Sequence, residues 1–185
     1  LTSEIWQPQL DYFNEYSTLS YDILGHGKSK LEKEIITFDD FSNQLITLID
    51  ELKIDKIHLV GFSIGSLIAR DFASKHNERL QSLILLGSIF KRTDEQQKIV
   101  NERYNQAKKQ MKLSKQALKR WFTDEYLKKN PNTYEKISTI LSANNMENFL
   151  KVYELFVFHK NNENFDKIKV NTLVMTGEYD IGSTI

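Results

Sequence analysis

Residues 56–69 read KIHLVGFSIGSLIA, from Lys56 to Ala69, and hold two periodicities with a break between them. Ile57, Leu59 and Val60 make a short apolar run of strand formers that stops at Gly61. Beyond the break Leu67, Ile68, Phe72 and Ala73 recur at helical spacing. The junction itself is Gly61-Phe62-Ser63-Ile64-Gly65, a serine with a glycine two residues away on each side. A strand that turns directly into a helix brings the two backbones close together, which favours residues without side chains. The residue at the apex then takes a strained conformation with its side chain exposed. Ser63 occupies that apex and is the candidate nucleophile, with Gly61 and Gly65 as the structural glycines of the turn. Ile64 opens the helix, so its N–H precedes the helical ladder and is the candidate donor to a developing oxyanion. A strand-to-helix turn containing the same pattern by chance is the alternative, and the setting weighs against it.

Two other stretches keep company with this turn: Tyr21-Asp22-Ile23-Leu24-Gly25-His26-Gly27-Lys28-Ser29 and Leu173-Val174-Met175-Thr176-Gly177-Glu178-Tyr179-Asp180. With the serine turn they resemble the α/β-hydrolase superfamily over nearly the whole chain. The first is similar to the family's D-x-x-G-H-G-x-S turn, and the second to its acid-bearing strand end. The resemblance implies an α/β protein with a mostly parallel sheet, helices on both faces and a helical cap inserted between two core strands. It makes residues 1–90 and 167–185 the core, 91–166 the cap, and Asp180 the carboxylate that orients a catalytic histidine.

The 185 residues are 40% hydrophobic and 27% charged, ordinary for a globular protein of one domain with an insertion. Twenty-five basic residues balance 25 acidic ones. The whole-chain charge therefore gives no reason to expect nucleic acid or an anionic membrane as partner. There is no cysteine, which removes disulfides, thiolate nucleophiles and Cys-ligated metal. No cofactor and no metal are expected, and a cytoplasmic location is compatible with this composition. No apolar run reaches the roughly 18 residues of a membrane span.

Taken in order, 1–16 reads as a loop and first helix with Trp6, Leu10, Tyr12 and Phe13 available for packing, and Ser17 to Tyr21 as a short strand. His26, between Gly25 and Gly27, reads as structural, since a metal needs more ligands than this turn offers. Thr37 with Asp40 three residues on opens a helix whose apolar face is Phe41, Leu45, Leu48, Ile49 and Leu52. Leu80 to Leu86 is the next buried strand. From Lys91 to Asp166 the chain is polar and helix-forming. Thr93 to Phe122 carries a break near Ser114, a further helix opens at Asn130-Pro131, and Asn145 to Phe158 makes another. A loop follows at Asn161-Asn162-Glu163-Asn164, and Ile168 to Thr176 returns as a strand.

Lys108, Lys112, Lys115 and Lys119 share one face if their helix is continuous, and no acidic residue occurs from Arg103 through Phe122. That stripe is either a solvated face or an attractor of a carboxylated substrate or a partner's acidic surface. Trp121-Phe122 is either cap core or, at Trp121, pocket lining.

Serine is a poor nucleophile at neutral pH and needs a histidine, itself held by a carboxylate. In this family the order along the chain is serine, acid, histidine. His26, His58, His76 and His159 all precede Asp180, and nothing in the sequence positions His159 over Ser63. The chain therefore reads as an internal stretch of a hydrolase, incomplete at both ends, whose base lies beyond Ile185. The stretch alone is expected to be inactive. The strand leading to the family's oxyanion loop is not recognisable, so residues 17–21 should either pair with the strand at Ile57 or stay unpaired. The resemblance implies hydrolysis of a small-molecule carboxylic ester or lactone through an acyl-enzyme. Arg120-Trp121-Phe122-Thr123 with Asn130-Pro131 is similar to the enol-lactonase branch. A C–C bond hydrolase and a non-catalytic ligand-binding protein on the same scaffold are the alternatives.

Overall fold

The computed structural model describes residues 1–111, 116–160, 165–180 and 182–183. They fall into two compact units, residues 35–103 with 153–185 and residues 1–34 with 104–152.

The first unit carries the sheet. Strands β1 (Ile57–Phe62), β2 (Leu80–Leu86) and β3 (Asn171–Met175) lie in that order and are all parallel. The register places Gly61 beside Leu85, and Leu85 beside Val174. Parallel strands need a crossover, and the first is helix α3 (Ile64–Lys75), which packs across β1 and β2. Because side chains alternate along a strand, Leu83 and Leu85 point to the same face as Gly61, towards α3, and are 0% and 5% exposed. On α3 the residues turned inward are Leu67, Ile68, Phe72 and Ala73, all buried. The opposite sheet face is open, with Val60, Phe62 and Leu173 roughly half exposed.

Helix α2 (Phe38–Glu51) packs against α3 through Phe41, Leu45 and Ile49. Its start is fixed by Asp40 Oδ2, which accepts from the Thr37 N–H at 2.9 Å and the Thr37 hydroxyl at 3.0 Å. Leu52, expected on the apolar face, falls past the last turn and is exposed. Polar links fasten the two helices: the Ser42 hydroxyl donates to Asp71 Oδ2 at 2.6 Å, and Lys75 bridges Asp71 and Asp39.

In the other unit, α1 (Gln7–Tyr12) is short, and Tyr12 and Phe13 lie exposed rather than packed. Segment 17–21 forms no strand. A strand is a property of a pair, and β1 pairs only with β2 among the described residues. The following turn is held by Asp22, which accepts from the N–H groups of Ser3 and Lys28 at 2.7 and 2.9 Å. His26 is buried there with its ring edge on Phe149. Burial pushes its pKa down to about 4.

Between β2 and β3 the chain is helical: α4 (Asp94–Gln110), α5 (Gln116–Trp121), α6 (Asp124–Lys129), α7 (Pro131–Ser142) and α8 (Met146–Val157). Leu118 of α5 and Ile137, Ile140 and Leu141 of α7 form a small core, with Phe122 and Tyr134 against it. Helix α6 is absent from the sequence reading although its signals are ordinary: Thr123 accepts from the Tyr126 N–H, acids open the helix and lysines close it. Lys108 and Lys119 lie on different helices, α4 and α5. Met111 takes φ 48° and ends α4 after Gln110, so Lys108 belongs to a helix that stops before the other three lysines. The expected break near Ser114, Lys112, Lys115 and the Asn161–Asn164 loop lie outside the described residues.

Candidate functional site

The last residues of β1 deliver Ser63 to the N-terminus of α3 with φ 54° and ψ −120°. That conformation is costly for a residue with a side chain, so the surroundings must enforce it. Gly61 is one enforcer. A Cβ there would lie 2.3 Å from the Gly65 carbonyl oxygen and 2.8 Å from Ala69 Cβ. At Gly65 a Cβ would meet open space. The close approach expected of both glycines is therefore made by Gly61 against the Gly65 backbone. Ser66 is another enforcer: its N–H and hydroxyl both donate to the Ser63 carbonyl, at 2.9 and 2.6 Å.

The Ser63 N–H donates to Leu86 O at 2.9 Å and so adds a rung to the ladder between β1 and β2. One residue later the Gly87 N–H donates to Met175 O at 2.9 Å, adding a rung between β2 and β3. The chain then rises from Met175 to Asp180, whose N–H bonds Gly177 O at 3.0 Å. Ser63 and Asp180 thus stand at the carboxyl ends of parallel strands on either side of β2, where open α/β sheets bind ligands.

Asp180 is held by its own turn. Oδ1 accepts from the Gly182 and Ser183 N–H groups at 2.8 and 3.1 Å. Oδ2 lies 3.5 Å from the Thr176 hydroxyl, and that hydroxyl also donates to Ser183 O at 2.5 Å. Gly87 has φ 54°, and a Cβ on it would sit 3.4 Å from Asp180 Oδ2 and 3.3 Å from the Phe62 ring. A side chain at Gly87 would therefore stand directly against that carboxylate oxygen.

Within this unit the histidines have other occupations. His58 Nδ1 lies 2.7 Å from the Ser82 hydroxyl, His76 packs on Phe72, and His159 sets its ring at 80° to Phe38. Trp121 ends α5 in the helical unit and is half exposed. Among the described residues no three acids or histidines cluster as metal ligands would, and no helix is long and apolar enough to cross a membrane.

Arg70 escaped the sequence reading. It is 2% exposed on α3, donates to Ile89 O at 2.6 Å and lies 4.7 Å from the Phe165 ring centre. A cation inside the apolar series Leu67, Ile68, Ala69, Phe72 was the available signal.

Known proteins place this architecture. An (E)-2-((N-methylformamido)methylene)succinate hydrolase of Acinetobacter baylyi is 27% identical over 190 residues, covering 100% of this chain and 70% of that protein. The 3-oxoadipate enol-lactonase 2 of the same species is 25% identical over 182 residues, with 98% and 68% covered. Among solved structures, the enol-lactonase of Burkholderia xenovorans superposes with a TM-score of 0.87 at 24% identity, covering 99% of this chain and 71% of that one. An esterase of Exiguobacterium antarcticum gives 0.87 at 19% identity, with 100% and 72% covered. At such identities the structures speak for the fold, and the fold is the one the serine turn implied. A family model for the alpha/beta hydrolase fold matches residues 1–182, and the chain belongs to that family, near its enol-lactonase branch.

Proposed function

We propose that the full-length protein hydrolyses a carboxylic ester or lactone through an acyl-enzyme on Ser63. The observation that carries this reading is the Ser63 backbone, held at φ 54° and ψ −120° between a strand and a helix N-terminus. A nucleophile is served by such a strained apex, which lifts its side chain out of both the strand and the helix.

The chemistry follows from the atoms present. A base takes the Ser63 proton as Oγ bonds the carbonyl carbon, and the carbonyl electron pair moves onto oxygen. The Ile64 N–H donates to that oxyanion, helped by the dipole of α3. Collapse of the adduct breaks the bond to the leaving oxygen, which takes the proton back. In a lactone this oxygen stays attached to the acyl chain. Water then repeats the sequence at the acyl carbon and frees Ser63. The base is a histidine, which the family's chain order places after the acid, and Asp180 Oδ2 receives its N–H.

A carboxylated substrate belongs to the same proposal. It is supported by the names of two relatives, which contain the dicarboxylates succinate and 3-oxoadipate. The lysine stripe gives no support, because α4 ends at Gln110. The deciding experiment treats the full-length protein with a fluorophosphonate probe, maps the adduct, and follows p-nitrophenyl acetate and enol-lactone turnover. Label on Ser63, and turnover abolished by Ser63→Ala, are expected. Label on another serine, or undiminished turnover in the variant, refutes the assignment.

A further inference from the structure

We propose that Ser183 is the positioning residue that fixes the Asp180 carboxylate. This rests on the reading of Asp180 as the acid. Four observations carry it. Ser183 is buried at 9% exposure although it follows an acidic surface turn. Its hydroxyl donates to Gly87 O at 2.8 Å, a buried bond between residues 96 apart in sequence. Its N–H donates to Asp180 Oδ1 at 3.1 Å, and its carbonyl accepts from the Thr176 hydroxyl at 2.5 Å. One residue therefore ties the exit of β2, the exit of β3 and the carboxylate into a single frame.

The frame has a firm foundation. Gly87 is clamped on its other side by the N–H bond to Met175 O. The two residues after it are gripped by Arg70, which reaches Ser88 Oγ at 3.4 Å and Ile89 O at 2.6 Å. A hydroxyl bonded to Gly87 O is thus anchored to a point that cannot drift. Without it, among the described residues, the hydrogen bonds of the turn holding Asp180 reach β2 only by way of β3. A short turn has enough freedom to swing the carboxylate by about 1 Å, which is worth about 100-fold in rate when a catalytic hydrogen bond depends on it.

The test compares Ser183→Ala, Ser183→Thr and Asp180→Asn in the full-length protein. Rates are expressed per active site titrated with the fluorophosphonate, so that misfolded molecules drop out. Ser183→Ala should lower kcat about 10- to 100-fold with KM within about twofold. Ser183→Thr, which keeps the hydroxyl, should restore most of the rate. The pH profile adds a readout that a merely structural residue would not move. The carboxylate raises the pKa of the histidine it faces, so loosening it moves the acidic limb of kcat/KM to lower pH. If Ser183→Ala only lowers the Tm and leaves the titrated kcat and the acidic limb unchanged, the proposal is overturned. If Asp180→Asn costs its expected loss of about 10⁴-fold while Ser183→Ala changes kcat less than about threefold, the acid stands and the Ser183 role falls alone. If Asp180→Asn itself leaves the rate intact, both fall.

Discussion

Replacing Gly61 and Gly65 in turn by alanine should move stability in opposite directions, although the two residues flank Ser63 symmetrically. A Cβ on Gly61 would be 2.3 Å from the Gly65 carbonyl oxygen, 1.1 Å short of the 3.4 Å at which ordinary contact begins. It would also lie 2.7 Å from the Gly65 carbonyl carbon. Both clashing atoms are backbone, so no rotamer change relieves them, and α3 must be pushed off β1. Overpacking of this kind costs about 2–3 kcal/mol, which for a chain of this size lowers the Tm by roughly 5–10 °C. The same displacement moves the Ile64 N–H by about 1 Å, so kcat should fall about 100-fold. At Gly65 the added methyl meets nothing and restricts the unfolded chain, so Gly65→Ala should stabilise by about 0.5–1 kcal/mol. Thermal melts of both variants, with p-nitrophenyl acetate turnover for Gly61→Ala, decide the matter. Equal shifts in Tm, or a Gly61→Ala enzyme of normal rate, would refute the account of the turn given above.

Two further outcomes are expected. His26 has its pKa lowered to about 4 from 6.5, so the unfolded chain binds the proton that the folded one refuses. The stabilisation is complete above pH 6.5 and is lost as pH falls towards 4, amounting to about 2–3 kcal/mol. Urea melts from pH 7 to 4 should show this loss in the wild type and a flatter curve in His26→Gln; parallel curves would contradict it. Asp40→Ala removes the acceptor that fixes Thr37 and should cost about 1 kcal/mol, with faster amide exchange confined to the first turn of α2. Unchanged exchange there would mean that the helix start is held by packing alone.

What could be read from the sequence was what neighbouring residues decide. The strand at Ile57, the turn at Ser63, the helix behind it and the strand from Leu80 to Leu86 all announce themselves by local periodicity and are found where expected. The strand proposed at Ser17 to Tyr21 failed because pairing depends on a neighbour, which no spacing within five residues reveals. The lysine stripe failed at a single backbone angle, the positive φ of Met111, a residue type that gives no hint of it. The places of Ser63 at the strand-to-helix turn and of Asp180 beyond the end of β3 were legible through motifs. Ser183 was not, because its meaning lies in a hydrogen bond to Gly87, 96 residues away. The bond from the Ser66 hydroxyl to the Ser63 carbonyl likewise needed coordinates.

The two rungs at the head of β2 have a consequence for how such a protein can change over time. Leu86 O receives the Ser63 N–H, and Gly87 N–H, on the very next peptide, holds the strand that leads to Asp180. The relative height of Ser63 and Asp180 is therefore written in main-chain atoms, which mutation does not alter. Side chains around the two residues can be exchanged without resetting that distance. An insertion or deletion within β2 would do the reverse, shifting Ser63 against Asp180 by a whole residue while leaving both side chains in the sequence.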